Sequence, residues 1–276
     1  MISAKWGDLG IRTASAVVLI PVVIAGAWFG GIWFTGLVLL LAGLIAHEWT
    51  SMVHPGNLAQ YALHMGAALC GAVLPDLTGV GIALLVILGL AIVSAFMVRK
   101  EDPDASMWRY LGIFYVGFPA LALILLRGDP HYGFAAILWI FLIVWSADTL
   151  AFFAGRIIGG PKLAPVISPK KTWAGLGGAV AGSTLVSFIF ACVTQLNGIW
   201  ALAILAGCLA IVEQAGDLFE SSLKRFHGVK DSGRLIPGHG GVIDRVDGLI
   251  AVAVAAALIG VFHDQGANAA RGLLRW

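Results

Sequence analysis

Between Thr13 and His47 the chain runs 35 residues without an Asp, Glu, Lys or Arg, and between Thr172 and Val212 it runs 41. A surface helix or half-buried strand in water carries a polar face at short intervals, so stretches of this length do not suit a soluble fold. Five more uncharged runs follow the same pattern: Trp49–Pro75, Leu77–Val98, Tyr110–Leu126, Pro130–Ala147 and Gly248–His263. One helix crosses the hydrocarbon of a bilayer with roughly 20 residues. The two longest runs therefore each hold two helices, with breaks expected at Gly30-Gly31 and Asn197-Gly198. Composition agrees, since 59% of residues are apolar and only 12% charged, against about 45–50% and about 25% in soluble domains. Intrinsic disorder is excluded by the same numbers.

The fold expected is an all-α, polytopic integral membrane protein of about nine transmembrane helices. Their approximate limits are 13–29, 32–49, 59–75, 78–98, 108–126, 132–154, 173–194, 198–219 and 242–263. With the N-terminus cytoplasmic, 14 of the 17 Lys and Arg residues fall on the inner side, as the positive-inside rule requires. The first apolar stretch is far longer than the h-region of a signal peptide and is expected to be a span. Cys70, Cys192 and Cys208 lie in apolar segments and read as small core residues, with no metal-ligand spacing and no disulfide framework.

The polar chemistry gathers in two cytoplasmic segments, 155–172 and 220–241, and at the helix ends beside them. Glu213, Asp217 and Glu220 follow i, i+4 and i+3 spacing, which places them on one helix face near the end of the eighth span. Asp244 and Asp247 open the ninth, again three residues apart, and Asp148 stands near the end of the sixth. Carboxylates at a membrane boundary are costly unless paired, hydrated or metal-bound, and an all-oxygen donor set suits Mg²⁺ rather than a soft metal. His227 and His239 have no accompanying Cys, which argues against zinc. Any one of these acids could simply pair with Lys224, Arg225, Arg234 or Arg245; for the whole set that explanation is weaker.

Ser168-Pro169-Lys170-Lys171-Thr172 leads directly into the seventh span. Thr172 suits an N-cap, and lysines before a helix N-terminus make an anion site, although a basic pair snorkelling to headgroups has the same appearance. Gly240-Gly241 would allow close backbone approach to a phosphate. Most of the 36 glycines, Gly175, Gly177 and Gly178 among them, read as helix-packing residues. A carboxylate cluster facing lysines and arginines at a membrane surface is equipment for phosphoryl or nucleotidyl transfer.

Segment 221–247 reads SSLKRFHGVKDSGRLIPGHGGVIDRVD. It resembles the signature of the phosphatidate cytidylyltransferases, S-x-x-K-R-x4-K-D-x-G-x3-P-x-H-G-G-x2-D-R-x-D, at every fixed position. Gly216-Asp217-Leu218-Phe219-Glu220-Ser221 is similar to the family's G-D-x-x-E-S element, and Ser146–Thr149, Gly155-Arg156 and Ser168–Thr172 to its upstream polar block. Ala174 departs from the polar residue, often Glu, that the family commonly carries there. Residues 1–130 resemble the family only in being multi-spanning, so the chain divides into N-terminal helices, 1–130, and a catalytic region, 131–276.

The resemblance implies transfer of CMP from CTP to phosphatidic acid, giving CDP-diacylglycerol and pyrophosphate, with Mg²⁺ as cofactor. It implies Asp217 and Asp244 as first metal ligands, with Glu220 and Asp148 as further ones and Asp247 in support. Lys224, Arg225 and His239 join Asp217, Asp244 and Asp247 as candidate catalytic residues. Ser168, Lys170, Lys171, Thr172, Lys230, Arg234, Gly240, Gly241 and Arg245 are candidates for binding triphosphate and lipid phosphate. A homodimer in the inner membrane, with its active site on the cytoplasmic side, is expected, and no nucleic-acid partner. A transporter would place its acids near the midplane at broken helices. A CDP-alcohol phosphotransferase would need a D-G-x2-A-R-x8-G-x3-D-x3-D run, which is absent from the sequence. A structural scaffold would leave Lys230, Asp231 and the His-Gly-Gly turn unexplained.

Overall fold

The computed structural model describes residues 17, 19–103, 105–233, 235, 240–266 and 268–276. The described residues are mostly helical. A short apolar helix α1 (Leu19–Phe29) precedes eight helices long and apolar enough to cross a membrane among the described residues. These are α2 (Gly31–Val53), α3 (Leu58–Thr78), α4 (Val80–Glu101), α5 (Trp108–Arg127), α6 (Gly133–Ile157), α7 (Trp173–Val193), α8 (Ile199–Phe226) and α9 (Ile243–His263). They are the second to ninth expected spans. The start of the first, 13–16, lies outside the described residues. A short helix, α10 (Ala269–Leu274), closes the chain.

Local chemistry sets the ends. Gly30 and Gly198 adopt φ of 64° and 72°, a left-handed backbone that glycine accepts at little cost, and they supply the two expected breaks. Asn57 caps α3 by accepting from Gln60 N at 3.1 Å, and Thr172 caps α7 by accepting from Gly175 N at 3.0 Å. Helix α8 continues to Phe226, beyond the expected 219, so Glu213, Asp217 and Glu220 stand inside a helix rather than on its last turns, and Lys224 and Arg225 belong to that helix. A Lys224–Glu220 ion pair, i to i+4 at 2.6 Å, ties together the turn that hydropathy does not mark.

The helices gather into two compact units. One runs to Ile124 and takes in His227–Arg245; the other comprises Leu125–Phe226 and Val246–Trp276. In the first, α2 packs on α3 and α3 on α4. Ser94 Oγ donates to Gln60 Oε1 at 2.6 Å and Gln60 Nε2 to Ser94 O at 3.2 Å, both buried. Such interhelical bonds average about 0.6 kcal/mol in membranes.

In the second unit α7 lies between α6 and α8. A chain of polar contacts crosses all three helices: Trp139 Nε1 donates to Ser187 Oγ at 2.8 Å, and Ser187 Oγ to Leu202 O at 3.0 Å. Small residues let the backbones approach. A Cβ at Gly178 would stand 2.7 Å from Leu150 O, and one at Gly175 would stand 3.1 Å from Ala151 O. Gly177, by contrast, faces open space. The cysteines are not core residues as expected. Cys192 and Cys208 are exposed free thiols and Cys70 is half-buried. Lipid tails are as apolar as leucine, so an apolar segment does not reveal which of its faces is inside.

Between α6 and α7 the chain forms an antiparallel hairpin, β1 (Lys162–Ala164) with β2 (Ser168–Thr172), in which Lys162 pairs with Thr172 and Ala164 with Ser168. This hairpin delivers Lys171 and the capping Thr172 to the start of α7.

Candidate active site

Three carboxylates converge in the second unit. Asp217 and Glu220 from α8 and Asp247 from α9 each present an oxygen within 4.8 Å of the others. Glycines make the approach possible. A Cβ at Gly216 would meet Ala251 Cβ at 2.7 Å and Asp247 O at 2.9 Å, and one at Gly248 would meet Glu213 Cγ and Oε1 at 2.7 Å. Glycine at both positions therefore lets α8 and α9 run close enough for their acids to meet.

Two lysines answer these acids. Lys171 Nζ, carried in by β2, stands 2.7 Å from Asp217 Oδ2 and donates to Gln214 Oε1 at 2.9 Å. Lys224 Nζ stands 2.6 Å from Glu220 Oε2. Gln214 in turn donates to the buried Glu213 at 2.8 Å, Ser221 Oγ to Asp217 Oδ1 at 3.3 Å, and Gly248 N to Asp247 Oδ1 at 2.9 Å. Glu220 is 1% exposed, so its charge is far from bulk water and depends on a cation close by.

The donor set suits a hard divalent cation. Three carboxylate oxygens with no nitrogen or sulfur ligand match the chemistry of Mg²⁺. An arrangement of this kind can gather several phosphate charges and neutralise them.

Residues 10–263 match the cytidylyltransferase family. The chain belongs to that family. It is 41% identical over 258 residues to the phosphatidate cytidylyltransferase of Brucella abortus, covering 94% of this chain and 95% of that protein. It is 34% identical over 247 residues to the phosphatidate cytidylyltransferase of Staphylococcus epidermidis, covering 88% and 95%. With that of Rickettsia bellii it shares 32% over 255 residues, covering 89% and 88%. The matches extend well into residues 1–130, where only the multi-spanning character was apparent.

In this cytidylyltransferase, Asp217, Glu220, Asp247, Lys171 and Lys224 come together around one centre. Asp148 is exposed on α6 and is not one of the three converging acids. Ser168 is half-buried and Lys170 exposed on β2, and Arg225 is exposed at the end of α8. In the first unit, Lys230 and Arg245 are exposed. Gly240 has φ of 85°. Arg234 and His239 lie outside the described residues. Asp244 Oδ2 accepts from Gly241 N at 2.9 Å, Ser232 N at 3.0 Å and Ser232 Oγ at 3.1 Å.

Beside Asp244 is a residue that the sequence reading passed over. Glu48 of α2 is 2% exposed, and it accepts from Val242 N at 2.8 Å, Ile243 N at 2.9 Å and Ser232 Oγ at 2.9 Å. The space beside Gly241 is taken by this carboxylate and by Ser232. A signal was present: Glu48 is the one charged residue between Thr13 and Pro75, and a lone acid in an intramembrane run is a functional candidate by default.

Proposed function

We propose that this membrane-spanning chain acts as a phosphatidate cytidylyltransferase, transferring CMP from CTP to phosphatidic acid to give CDP-diacylglycerol and pyrophosphate. The observation that carries the reading is the three-carboxylate, two-lysine centre, set in a chain matched almost from end to end by phosphatidate cytidylyltransferases.

The nucleophile is an oxygen of the phosphatidate phosphate. It attacks the α-phosphorus of CTP, the bond from that phosphorus to the β-bridging oxygen breaks, and pyrophosphate leaves with the electron pair. A phosphate monoester has its second pKa at about 6, so the nucleophile is already largely ionised at neutral pH and no strong general base is required. The protein's task is to assemble like charges in line. Lys171 and Lys224, held by Asp217 and Glu220, are oriented to turn towards phosphate oxygens when substrates enter, and we assign Lys170, Arg225, Lys230, Arg234 and Arg245 to phosphate binding on the family signature and its upstream polar block. Ser168 and Thr172 fix the strand that carries the lysines. Gly240, Gly241 and His239 belong to the signature loop, where the histidine suits hydrogen bonding to a phosphate.

Asp217, Glu220 and Asp247 would hold Mg²⁺, with Asp244 and Asp148 as further candidates. Bound there, the ion would supply charge neutralisation for the triphosphate and for the leaving pyrophosphate. The distribution of Lys and Arg supports a cytoplasmic active site in the inner membrane, reached by CTP from the cytosol and by phosphatidic acid sideways from the bilayer. We read the working unit as a homodimer, which light scattering on the detergent-solubilised protein would test.

The experiment is conversion of labelled CTP to an organic-extractable product by purified protein with phosphatidate. Product formation that requires phosphatidate and stops with EDTA is expected. Extractable product formed equally without phosphatidate would refute the reading.

A further inference from the structure

Glu48 is separated from Ser232 by 184 residues in sequence, yet its two oxygens receive donors from both ends of the signature loop. Ser232 Oγ, on the incoming stem, lies 2.9 Å from Oε2. On the outgoing stem, Val242 N lies 2.8 Å from Oε1 and Ile243 N 2.9 Å from Oε2. The last two are amides at the start of α9, where the helix has no partner of its own for them and where its dipole favours a negative charge.

The surrounding sequence makes room for this one side chain. A Cβ at Gly233 would meet the Glu48 carboxylate, with Cδ at 2.7 Å, and a Cβ at Gly241 would meet Glu48 Oε2 at 2.6 Å. Ser232 also reaches Asp244 Oδ2, through its own N–H and its hydroxyl. Glu48 and Asp244 thus grip the same serine, the first from a distant helix and the second from within the loop's own segment.

We propose that Glu48 is a positioning residue for the transfer reaction: it docks the two stems of the signature loop against α2 and so fixes the backbone that presents Lys230, Gly240 and Asp244. The proposal rests on the cytidylyltransferase reading for its catalytic consequence, but not for the docking itself. Glutamine at position 48 keeps the size and one acceptor oxygen. Its NH₂ group cannot accept a hydrogen bond, so at least one of the three bonds that hold the stems is lost, and two are lost if the NH₂ group takes the Oε2 position.

The test uses full-length protein in detergent and compares wild type with Glu48→Gln, Ser232→Ala and the double variant. Two readouts are taken: amide exchange of segment 240–246, and kcat and KM for CTP. Glu48→Gln is expected to speed exchange at 240–246 while leaving α3 and α4 unchanged. It should also lower kcat/KM by at least about tenfold, equivalent to about 1.4 kcal/mol, with the larger part in kcat. The Ser232→Ala effect should be non-additive with it, because both act through one contact. Unchanged exchange at 240–246, or kcat/KM within twofold of wild type, would overturn the proposal. Faster exchange throughout α2, α3 and α4 would also overturn it, by making Glu48 a support of the whole unit. Local exchange that responds as expected, in a wild type that forms no CDP-diacylglycerol, would refute the enzymatic reading and leave the docking intact.

Discussion

Adding one methyl group at Gly248 tests whether the approach of α8 and α9 is what builds the carboxylate centre. In Gly248→Ala the new Cβ would stand 2.7 Å from Glu213 Cγ and Oε1 and 3.1 Å from Cδ. Carbon atoms pack at about 3.5–4.0 Å, so α9 must withdraw on the order of 1 Å, or Glu213 must abandon its bond from Gln214. Overpacking of this kind costs about 1–3 kcal/mol. The effect on catalysis should be larger than the effect on stability, since a misplacement of ~1 Å can cost ~100-fold in rate. Asp247 is the residue before Gly248 and moves with it.

The control is Gly177→Ala, where nothing lies within 4 Å of the added atom; alanine there should leave activity unchanged and favour the helix slightly, by up to about 1 kcal/mol. The assay is CDP-diacylglycerol formation in mixed micelles over a range of Mg²⁺ concentrations, with yield and melting midpoint recorded for each variant. Gly248→Ala should reduce turnover by about a hundredfold and raise the Mg²⁺ needed for half-maximal rate. Turnover within twofold of wild type at the same Mg²⁺ requirement would refute the close-approach argument.

Three further outcomes are expected. Asp217→Asn removes the anionic partner of Lys171 and one of three converging acids; turnover should be lost while the protein still purifies from the membrane fraction, and near-normal product formation would contradict the assignment. Thr172→Ala deletes the cap of α7 and should cost about 1 kcal/mol of stability, read as a lowered melting midpoint. Beyond the spans, the Arg271 guanidinium, hydrogen-bonded to both oxygens of Asp264, holds that carboxyl below its usual range. Its contribution to stability is therefore present above the ordinary carboxylate pKa of about 4 and is lost as pH falls through the lowered value. Asp264→Asn should lower the neutral-pH midpoint slightly and reduce its loss on acidification, and an unchanged acid response would count against the pair.

The spans were legible in the sequence because lipid imposes a simple rule: about 20 residues without charge. Gly30 and Gly198 were legible as breaks for an equally local reason. Helix ends beyond the bilayer were not, since Glu220 and Lys224 extend α8 to Phe226 by pairing with each other in a polar stretch. The hairpin at 162–172 and the short α10 also escaped, because neither carries a periodic apolar pattern. Spacing put Asp217 and Glu220 on one helix face and Asp247 beside Asp244, and the signature made their family apparent; that Asp247 rather than Asp244 meets Asp217 and Glu220 depends on how α8 and α9 pack, which spacing does not encode. Glu48 was missed because its partners lie at the other end of the chain, and sequence patterns report neighbours one or two turns away.

The central claim, cytidylyl transfer to phosphatidate at the Asp217–Glu220–Asp247 centre, is tested most directly by following one phosphorus atom. Purified protein is given phosphatidate, Mg²⁺ and CTP labelled either at the α- or at the γ-phosphorus, and the lipid and aqueous phases are counted. Transfer as described puts the α-label into the lipid phase and the γ-label into aqueous pyrophosphate, in equal amounts, and Asp247→Asn abolishes both. Lipid-phase label from γ-labelled CTP, or full α-label transfer by Asp247→Asn, would contradict it.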